Sequence, residues 1–458
     1  MDVIARVGDL YIGQEEFELS YQFNPYFTNI SAPNRAKNLL LLTLIAEKML
    51  VQESFLQKLP ELPLINQLSA QYRREALIEE LWQKKIRGQI EVSEEEIFEA
   101  YLQSKRIRYF KFLTFADRES AERAYQHLTN GLSLTEVARL IGLDSQFIPT
   151  DSITFGSELN ALEKQVFQLP VNGVSAPFKL GAYYFVINFF KEKTDIFTSE
   201  DDYNRRYTYI KKTILRRKQL QSFQDYTRQR FRQAPYQLNR DQFKALVQQL
   251  EKVLPIGKET NNQSDLISNH EANSGLGNIL DKPVVSFSNG NIFTNRELLQ
   301  RLKVAPYPIE FSSPGKYRSS MIAATKMILD DDVLVQLAEE EDLGKSPYVN
   351  DQLRIWREYL IYQFMRTKFF MSISNAEMPA DSSLRSNPAK EFDAYLASFA
   401  GKYKIHIFHT ILDTLTLAKT DMAVMKQHFP KRTLVPLIQP IYPSSAFESI
   451  ISDKLIQN

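Results

Sequence analysis

The chain has no cysteine, almost no net charge, no long apolar run and no nucleotide-binding signature, and each lack removes a class of function. Without cysteine, its 458 residues can form no disulfide, thiolate nucleophile or Cys-based metal site. A balance of 56 Lys+Arg against 55 Asp+Glu leaves a net charge of +1, which creates no global field to recruit nucleic acid. Apolar runs such as NLLLLTLIA (Asn38 to Ala46) fall well short of the roughly 20 residues that span a bilayer. No GxxxxGK[ST], GxGxxG or GxSxG motif occurs, so no cofactor is implied. The N-terminus MDVIARVGDL carries no signal peptide, so the chain reads either as cytoplasmic or as the mature form of an exported protein. Complete lack of Cys leans toward an oxidising compartment, where stray thiols are a liability.

What is present suffices for sizeable cores: 43% hydrophobic and 12% aromatic residues over a length that suggests two to four domains. The chain also resembles itself. VIARVGDLYIGQEEF (Val3 to Phe17) aligns with VVSFSNGNIFTNREL (Val284 to Leu298), each reading as strand, turn, strand and helix start. MLVQES (Met49 to Ser54) matches VLVQLA (Val333 to Ala338), REALI (Arg74 to Ile78) matches REYLI (Arg357 to Ile361), and VSEEE (Val92 to Glu96) matches ISNAE (Ile373 to Glu377). The offset stays between 281 and 284 residues, as a duplication requires. Ser93 with Glu96, and Ser374 with Glu377, have capping-box spacing. Further on, FQDYTRQRF (Phe223 to Phe231) resembles FDAYLASFA (Phe392 to Ala400) at an offset of only 169. Over a hundred residues of the first copy therefore have no counterpart in the second, as they would if an independent domain were inserted there.

The expected organisation follows. Residues 1–93 form the N-terminal half of a first helical lobe, 94–195 an inserted domain and 196–254 the other half of that lobe. Residues 255–282, rich in Asn, Ser and Gly, form a flexible linker, and 283–458 form a second lobe without an insertion. The inserted domain reads as strand RIRYFKFLTF (Arg106 to Phe115), helix, second helix, loop, short helix and terminal hairpin, a small α+β unit. Alternation puts Ile107, Tyr109, Lys111, Leu113 and Phe115 on one face of the strand, with Lys111 interrupting an apolar row.

The blocks GLSLTEVA (Gly131 to Ala138), LEKQVFQL (Leu162 to Leu169), GVSAP (Gly173 to Pro177) and GAYYFVI (Gly181 to Ile187) resemble, in this order, the parvulin-type (PpiC-like) peptidyl-prolyl isomerase domain. With the strand-helix start and the VSEEE junction, the resemblance extends to the SurA/PrsA/PpiD-like folding factors. It implies an α+β, predominantly helical fold: duplicated SurA-like chaperone lobes around one parvulin-like domain. The family's first-strand motif R-x-R-H-I-L falls on Arg108 to Leu113 and places Lys111 at the histidine position. The second histidine, in G-Y-H, falls on Tyr183, and the G-G-D-L-G segment is reduced to ITFG (Ile153 to Gly156). The resemblance further implies Leu113, Asp144 and Phe167 as members of the same, degenerate pocket. A lysine ammonium donates hydrogen bonds only and cannot replace a neutral imidazole that both donates and accepts.

Other constellations carry less. HIFH (His406 to His409) lacks the carboxylate or thiolate partners of a metal site, so no metal is expected. The basic, aromatic stretch Asn204 to Gln233 keeps Tyr207, Ile210, Ile214 and Leu215 at helical spacing, which indicates an amphipathic helix with a solvated basic face. LVPLIQPIYP (Leu434 to Pro443) reads as an extended arm packing on its own chain, with docking to a partner as the alternative. The sequence thus points to an ATP-independent periplasmic or otherwise extracytoplasmic chaperone, presumed to have lost a signal peptide and open to lipid anchoring. Its partners would be unfolded or extended clients, among them outer-membrane or secreted proteins. An active isomerase, and a fixed subunit of an envelope or secretion assembly, are the alternative readings.

Overall fold

A computed structural model of the chain describes residues 2–142, 148–157, 160–196, 199–232, 235–254, 256–257, 276–374 and 388–415, with residues 417, 436, 438 and 451. Along the chain, β1 (Val3–Val7) and β2 (Leu10–Gly13) lead into α1 (Gln14–Gln22), α2 (Pro25–Thr28), α3 (Pro33–Leu56) and α4 (Pro63–Lys85). Next come α5 (Glu94–Ser104), β3 (Arg106–Phe115), α6 (Arg118–Thr129), α7 (Leu134–Leu140), β4 (Thr150–Ile153), α8 (Asn160–Gln168), β5 (Phe178–Leu180), β6 (Tyr183–Thr194) and α9 (Glu200–Phe231). Then follow β7 (Tyr236–Leu238), α10 (Arg240–Val253), α11 (Gly277–Leu280), β8 (Pro283–Phe287), β9 (Ile292–Thr294), α12 (Asn295–Val304) and α13 (Pro314–Glu340). The last elements are α14 (Pro347–Ser374), α15 (Pro388–Ala400), β10 (Ile405–Ile407) and α16 (His409–Thr414). The fold is α+β and predominantly helical. Contacts divide it into two compact units, Lys85–Gln229 and the remainder, Met1–Lys84 with Arg230–Asn458.

The unit Lys85–Gln229 is built on an antiparallel sheet of order β4-β3-β6-β5. Alternation along β3 and β6 makes both faces apolar. Leu113, Phe115 and Val186 are covered by α6 and α7 on one side; Phe110, Ile187 and Phe189 are covered by α8 on the other. Strand β4 replaces part of the expected loop. It is a short edge strand with three exposed polar residues, TDS, so no alternation marks it in the sequence. The unit is wider than the expected 94–195, because α9 belongs to it. Ile210 of α9 is buried with Ile97, Ala100, Tyr101 and Phe155, and Tyr207 and Ile214 pack on the same cluster, as their helical spacing foretold. The cap at Ser93 forms as expected: Ser93 Oγ accepts from the Glu96 N–H at 3.2 Å, and Glu96 accepts from the Ser93 N–H at 2.9 Å. Of its expected counterpart, Ser374 ends α14 and Glu377 lies outside the described residues.

The remaining unit shows the duplication element by element. β1-β2-α1 corresponds to β8-β9-α12, and the long helices α3 and α13 both start at proline. Each long helix ends at a non-glycine residue in the left-handed region, Lys58 (φ 54°) or Asp342 (φ 60°). A single 3₁₀ turn follows in each copy, and then a proline-led helix, α4 at Pro63 or α14 at Pro347. From the end of the long helix onward these landmarks keep one spacing, as Lys58 with Asp342 and Pro63 with Pro347, so Arg74 is equivalent to Glu358, one residue away from the match of REALI with REYLI.

The copies do not fold side by side. β1 pairs with β2 and with β10, and Ile4, Ile12, Phe17, Leu40 and Ile45 share a core with Tyr362, Leu396, Ile405 and Leu412. This is lobe one. Lobe two joins β7 and α10, the end of the first copy, to β8, β9, α12 and α13, the start of the second; Leu246 and Leu250 pack with Val284, Leu298, Met321 and Ile328. Residues 236–254 therefore complete the second copy's first half, and residues 359–412 complete the first copy's. The sequence order of halves suggested the opposite assignment. Both second halves offer the same short strand and amphipathic helix, so pattern alone does not choose between partners. Of the arm Leu434–Pro443, only Pro436 and Ile438 are described; Ile438 is buried in lobe one and its carbonyl accepts from the Asn24 side chain at 2.7 Å. Most of the linker 255–282 lies outside the described residues.

Candidate functional site

On the β3–β6 sheet, residue parity decides what can meet. Lys111 sits opposite Asn188, and Leu113 opposite Val186, on the face toward α6 and α7. Lys111 is half-buried, with its ammonium 5.7 Å from the centre of the Phe190 ring. Leu113 is a core residue, 2% exposed beneath the two helices. Tyr183, at 55% exposure, begins β6 and shares parity with Phe185 and Ile187 on the opposite face, toward α8. Five residues of strand separate it from the partner of Lys111, about 17 Å at 3.3–3.4 Å per residue. Phe167 lies on α8, partly buried against Phe110 and Phe189. Asp144 lies outside the described residues. The sheet thus separates Lys111 and Leu113 from Phe167 and Tyr183, and these residues form no common pocket.

The face toward α8 instead carries a row of phenyl rings. Phe112 packs 6.0 Å from Phe110 and 5.6 Å from Phe185, and Phe185 lies 6.0 Å from Phe178. Phe112, Phe178 and Phe185 are each half-buried, so the row is partly open. At its end, the Arg108 guanidinium lies 5.0 Å from the Phe167 ring centre and 4.5 Å from that of Phe189. Arg108 also donates to the carbonyls of Val166 and Leu169, closing the C-terminus of α8, and pairs with Glu192 at 2.7 Å. Sequence reasoning missed this row. The signal was strand parity, since Phe112 follows Lys111 by one residue and Phe185 follows Tyr183 by two.

Beside α8, a cleft of about 960 Å³ opens toward α5 and α9, lined among others by Gln103, Phe167, Arg217, Lys218 and Gln221. Glu163, Arg217, Lys218 and Glu96 in its wall are committed to one another and to the backbone. Glu163 accepts from the N–H groups of Gly156 and Ser157, each at 3.0 Å, while Arg217 holds both carboxylate oxygens at 2.8 and 2.7 Å. Lys218 pairs with Glu96 at 2.5 Å. At the start of α9, hydrogen bonds from Lys105 and Tyr101 hold the Asp202 carboxyl down at about 2. These contacts fasten α9 to the sheet unit and offer no poised acid or base.

Lobe one encloses a second polar centre. Glu16, Glu47 and Glu358 converge closely enough to hold a metal ion, but the Lys48 ammonium occupies their centre, at 2.6, 3.2 and 2.6 Å respectively. Arg354 reaches Glu16 at 3.0 Å and Glu358 at 3.3 Å. Burial disfavours ionisation of Glu16, yet Lys48 and Arg354 outweigh it and hold that carboxyl below its usual range. For Glu47, burial prevails over Lys48 and pushes the carboxyl up to about 7. The histidines of HIFH lie apart from this centre: His406 pairs with Arg6 across β10–β1, and His409 begins α16.

No family model matches the chain, and no curated protein matches its sequence. Solved structures do match. The peptidylprolyl isomerase PrsA of Bacillus anthracis is 13% identical, with 41% of this chain and 97% of that one covered and a TM-score of 0.22. The foldase protein PrsA of Streptococcus pneumoniae is 16% identical over 46% of this chain and 84% of that one, with a TM-score of 0.21. A Campylobacter jejuni structure, from work describing PEB4 and the periplasmic protein Cj1289 as SurA-like chaperones, is 16% identical. It covers 50% of this chain and 96% of that one, with a TM-score of 0.22.

Proposed function

We propose that the chain is an ATP-independent, extracytoplasmic folding factor that holds unfolded or extended segments of exported proteins, and that its parvulin-like unit binds such segments without isomerising them. The observation that carries this reading is the pairing of Phe112 with Phe185 on the open face of the sheet. A prolyl bond must cross a barrier of about 18–20 kcal/mol set by amide resonance. Phenyl rings can desolvate a proline and pack against it, but they supply neither donor nor acceptor to the twisting amide. Binding would survive and turnover would not. Among the described residues, no helix is long and apolar enough to cross a membrane.

The test uses the full chain and a proline-containing peptide of an unfolded client. Exchange spectroscopy should find the uncatalysed interconversion rate, while peptide binding weakens about tenfold or more in Phe112→Ala and stays unchanged in Lys111→Ala. Acceleration by the wild-type chain that either substitution abolishes would establish an isomerase instead. Suppression of client aggregation without nucleotide tests the holding function, and its absence in the wild-type chain would remove the folding-factor reading.

A further inference from the structure

The exchange of halves between the two copies comes with a charge pattern that favours it. Lys48 on α3 contacts Glu358 on α14 at 2.6 Å. At the equivalent positions of the other copy, Asp332 on α13 contacts Arg74 on α4. The two ion pairs are reversed in sign: the long helix carries the cation in lobe one and the anion in lobe two. Each bond joins one copy to the other, and the bonds are reciprocal, as contacts across a twofold axis must be. Tyr72 and Trp356, themselves equivalent residues, stack on one another with ring centres 4.4 Å apart, which marks where that axis passes.

If each copy folded on its own halves, Lys48 would face Arg74 and Asp332 would face Glu358. Both contacts would then set like charges together at sites where Lys48 is 0% and Asp332 only 3% exposed. The remaining partners soften this without removing it. Glu16 and Glu47 stay with Lys48 in either arrangement, and Arg301 holds Asp332 at 2.8 Å from within its own copy, but Arg354, which joins Glu16 at 3.0 Å to Glu358 at 3.3 Å, would leave Glu16 along with Glu358. Strand pairing is indifferent to the choice, because β7 and β10 are equivalent: Gln237 faces Ser286 as His406 faces Arg6. We propose that the sign-reversed pairs Lys48–Glu358 and Asp332–Arg74 select the exchanged assembly, attracting each half to the other copy and repelling it from its own. The two copies thereby form a single interlocked body in which neither lobe can be completed from one copy alone.

A cysteine-free chain allows a direct reading. Arg6→Cys with His406→Cys should cross-link in the exchanged assembly, since facing strand residues lie within disulfide reach. Arg6→Cys with Gln237→Cys should cross-link only if the first copy folds on itself. With native charges we expect the first disulfide and not the second. Introducing Arg74→Glu with Glu358→Lys makes the exchanged contacts repulsive and the self-contacts attractive, and should move the cross-link from His406 to Gln237. The charge-free pair Arg74→Met with Glu358→Met covers the case in which the reversed protein does not fold. It should lower the ratio of exchanged to self cross-link by about tenfold or more. Retention of the native ratio in the charge-free protein, or of the His406 cross-link at full yield in the folded reversed protein, would overturn the proposal.

Discussion

The two lobes place their charges at equivalent positions but solve the resulting problem differently. In lobe one, α3 and α14 pack closely, and Lys48 is sealed among carboxylates that are themselves only 2–7% exposed. In lobe two, Arg74 of α4 and Arg301 of α12, 24% and 19% exposed, converge on Asp332 of α13. That centre leaves Arg74 Nε, Arg301 Nε and Asp332 Oδ2 without a hydrogen-bond partner among the described residues. The difference teaches that one architecture tolerates both a cluster centred on one sealed cation and one in which two partly exposed arginines share a buried carboxylate. A saturated buried cluster fails when one member is lost, because the others stay buried and uncompensated. A redundant, half-open cluster loses less.

The largest effect should therefore come from Lys48→Met, which takes the cation from Glu47 and leaves Glu16 and Glu358 sharing Arg354. We expect about 3–5 kcal/mol of lost stability in urea titration, with amide exchange rising in α3 well before α13. Arg74→Met should lose less, about 1–2 kcal/mol, because Arg301 still holds Asp332 at 2.8 Å. Equal losses in the two variants would end the contrast.

Acidity separates the lobes next. Glu47 and Asp331 occupy equivalent positions, and burial raises both carboxyls, to about 7 and about 6. Each folded value lies above its unfolded one, so the native state binds the extra proton. Stability is then highest below the unfolded values and falls as pH rises, up to about 7 for lobe one and about 6 for lobe two. Glu47→Gln should remove the upper part of this fall and Asp331→Asn the lower part, each changing the pH-dependent term by about 1–3 kcal/mol. A pH–stability curve unaltered by both substitutions would mean that neither carboxyl takes up a proton on folding.

Much of this was legible in the sequence, but not the pairing. Val3 to Phe17 against Val284 to Leu298 announced two copies, Ser93 with Glu96 announced a helix start, and Tyr207, Ile210 and Ile214 announced the buried stripe of α9. Such signals are local, set by periodicity and capping. Which half joins which is a long-range choice between equivalent strands. It depended on the signs at Lys48, Arg74, Asp332 and Glu358, and those have meaning only once α4 and α14 are in register. The sheet unit shows the same boundary. Alternation correctly grouped Lys111 with Leu113 and Phe115, yet matching motifs by letter set Lys111 beside Tyr183, which the register of β3 with β6 puts on the other face. One residue of slip moves a side chain through the sheet.

The smallest effect sharpens the comparison most finely. Pro25-Tyr26 and Pro306-Tyr307 precede their long helices at the same spacing. Tyr26 is 50% exposed, whereas Tyr307 is half-buried and its hydroxyl donates to Asp331. That bond counteracts the effect of burial on Asp331. Tyr307→Phe should therefore cost about 0.5–1.5 kcal/mol and raise the Asp331 carboxyl further, extending the fall in stability to higher pH. Tyr26→Phe should change stability by less than about 0.5 kcal/mol and leave the pH dependence alone. Because Tyr307 lends its proton only to lobe two, an upward shift in the Tyr307→Phe curve that Asp331→Asn abolishes would tie that part of the pH dependence to lobe two. A shift that persists in Asp331→Asn would place the titrating group elsewhere and dissolve the acid–base distinction between the lobes.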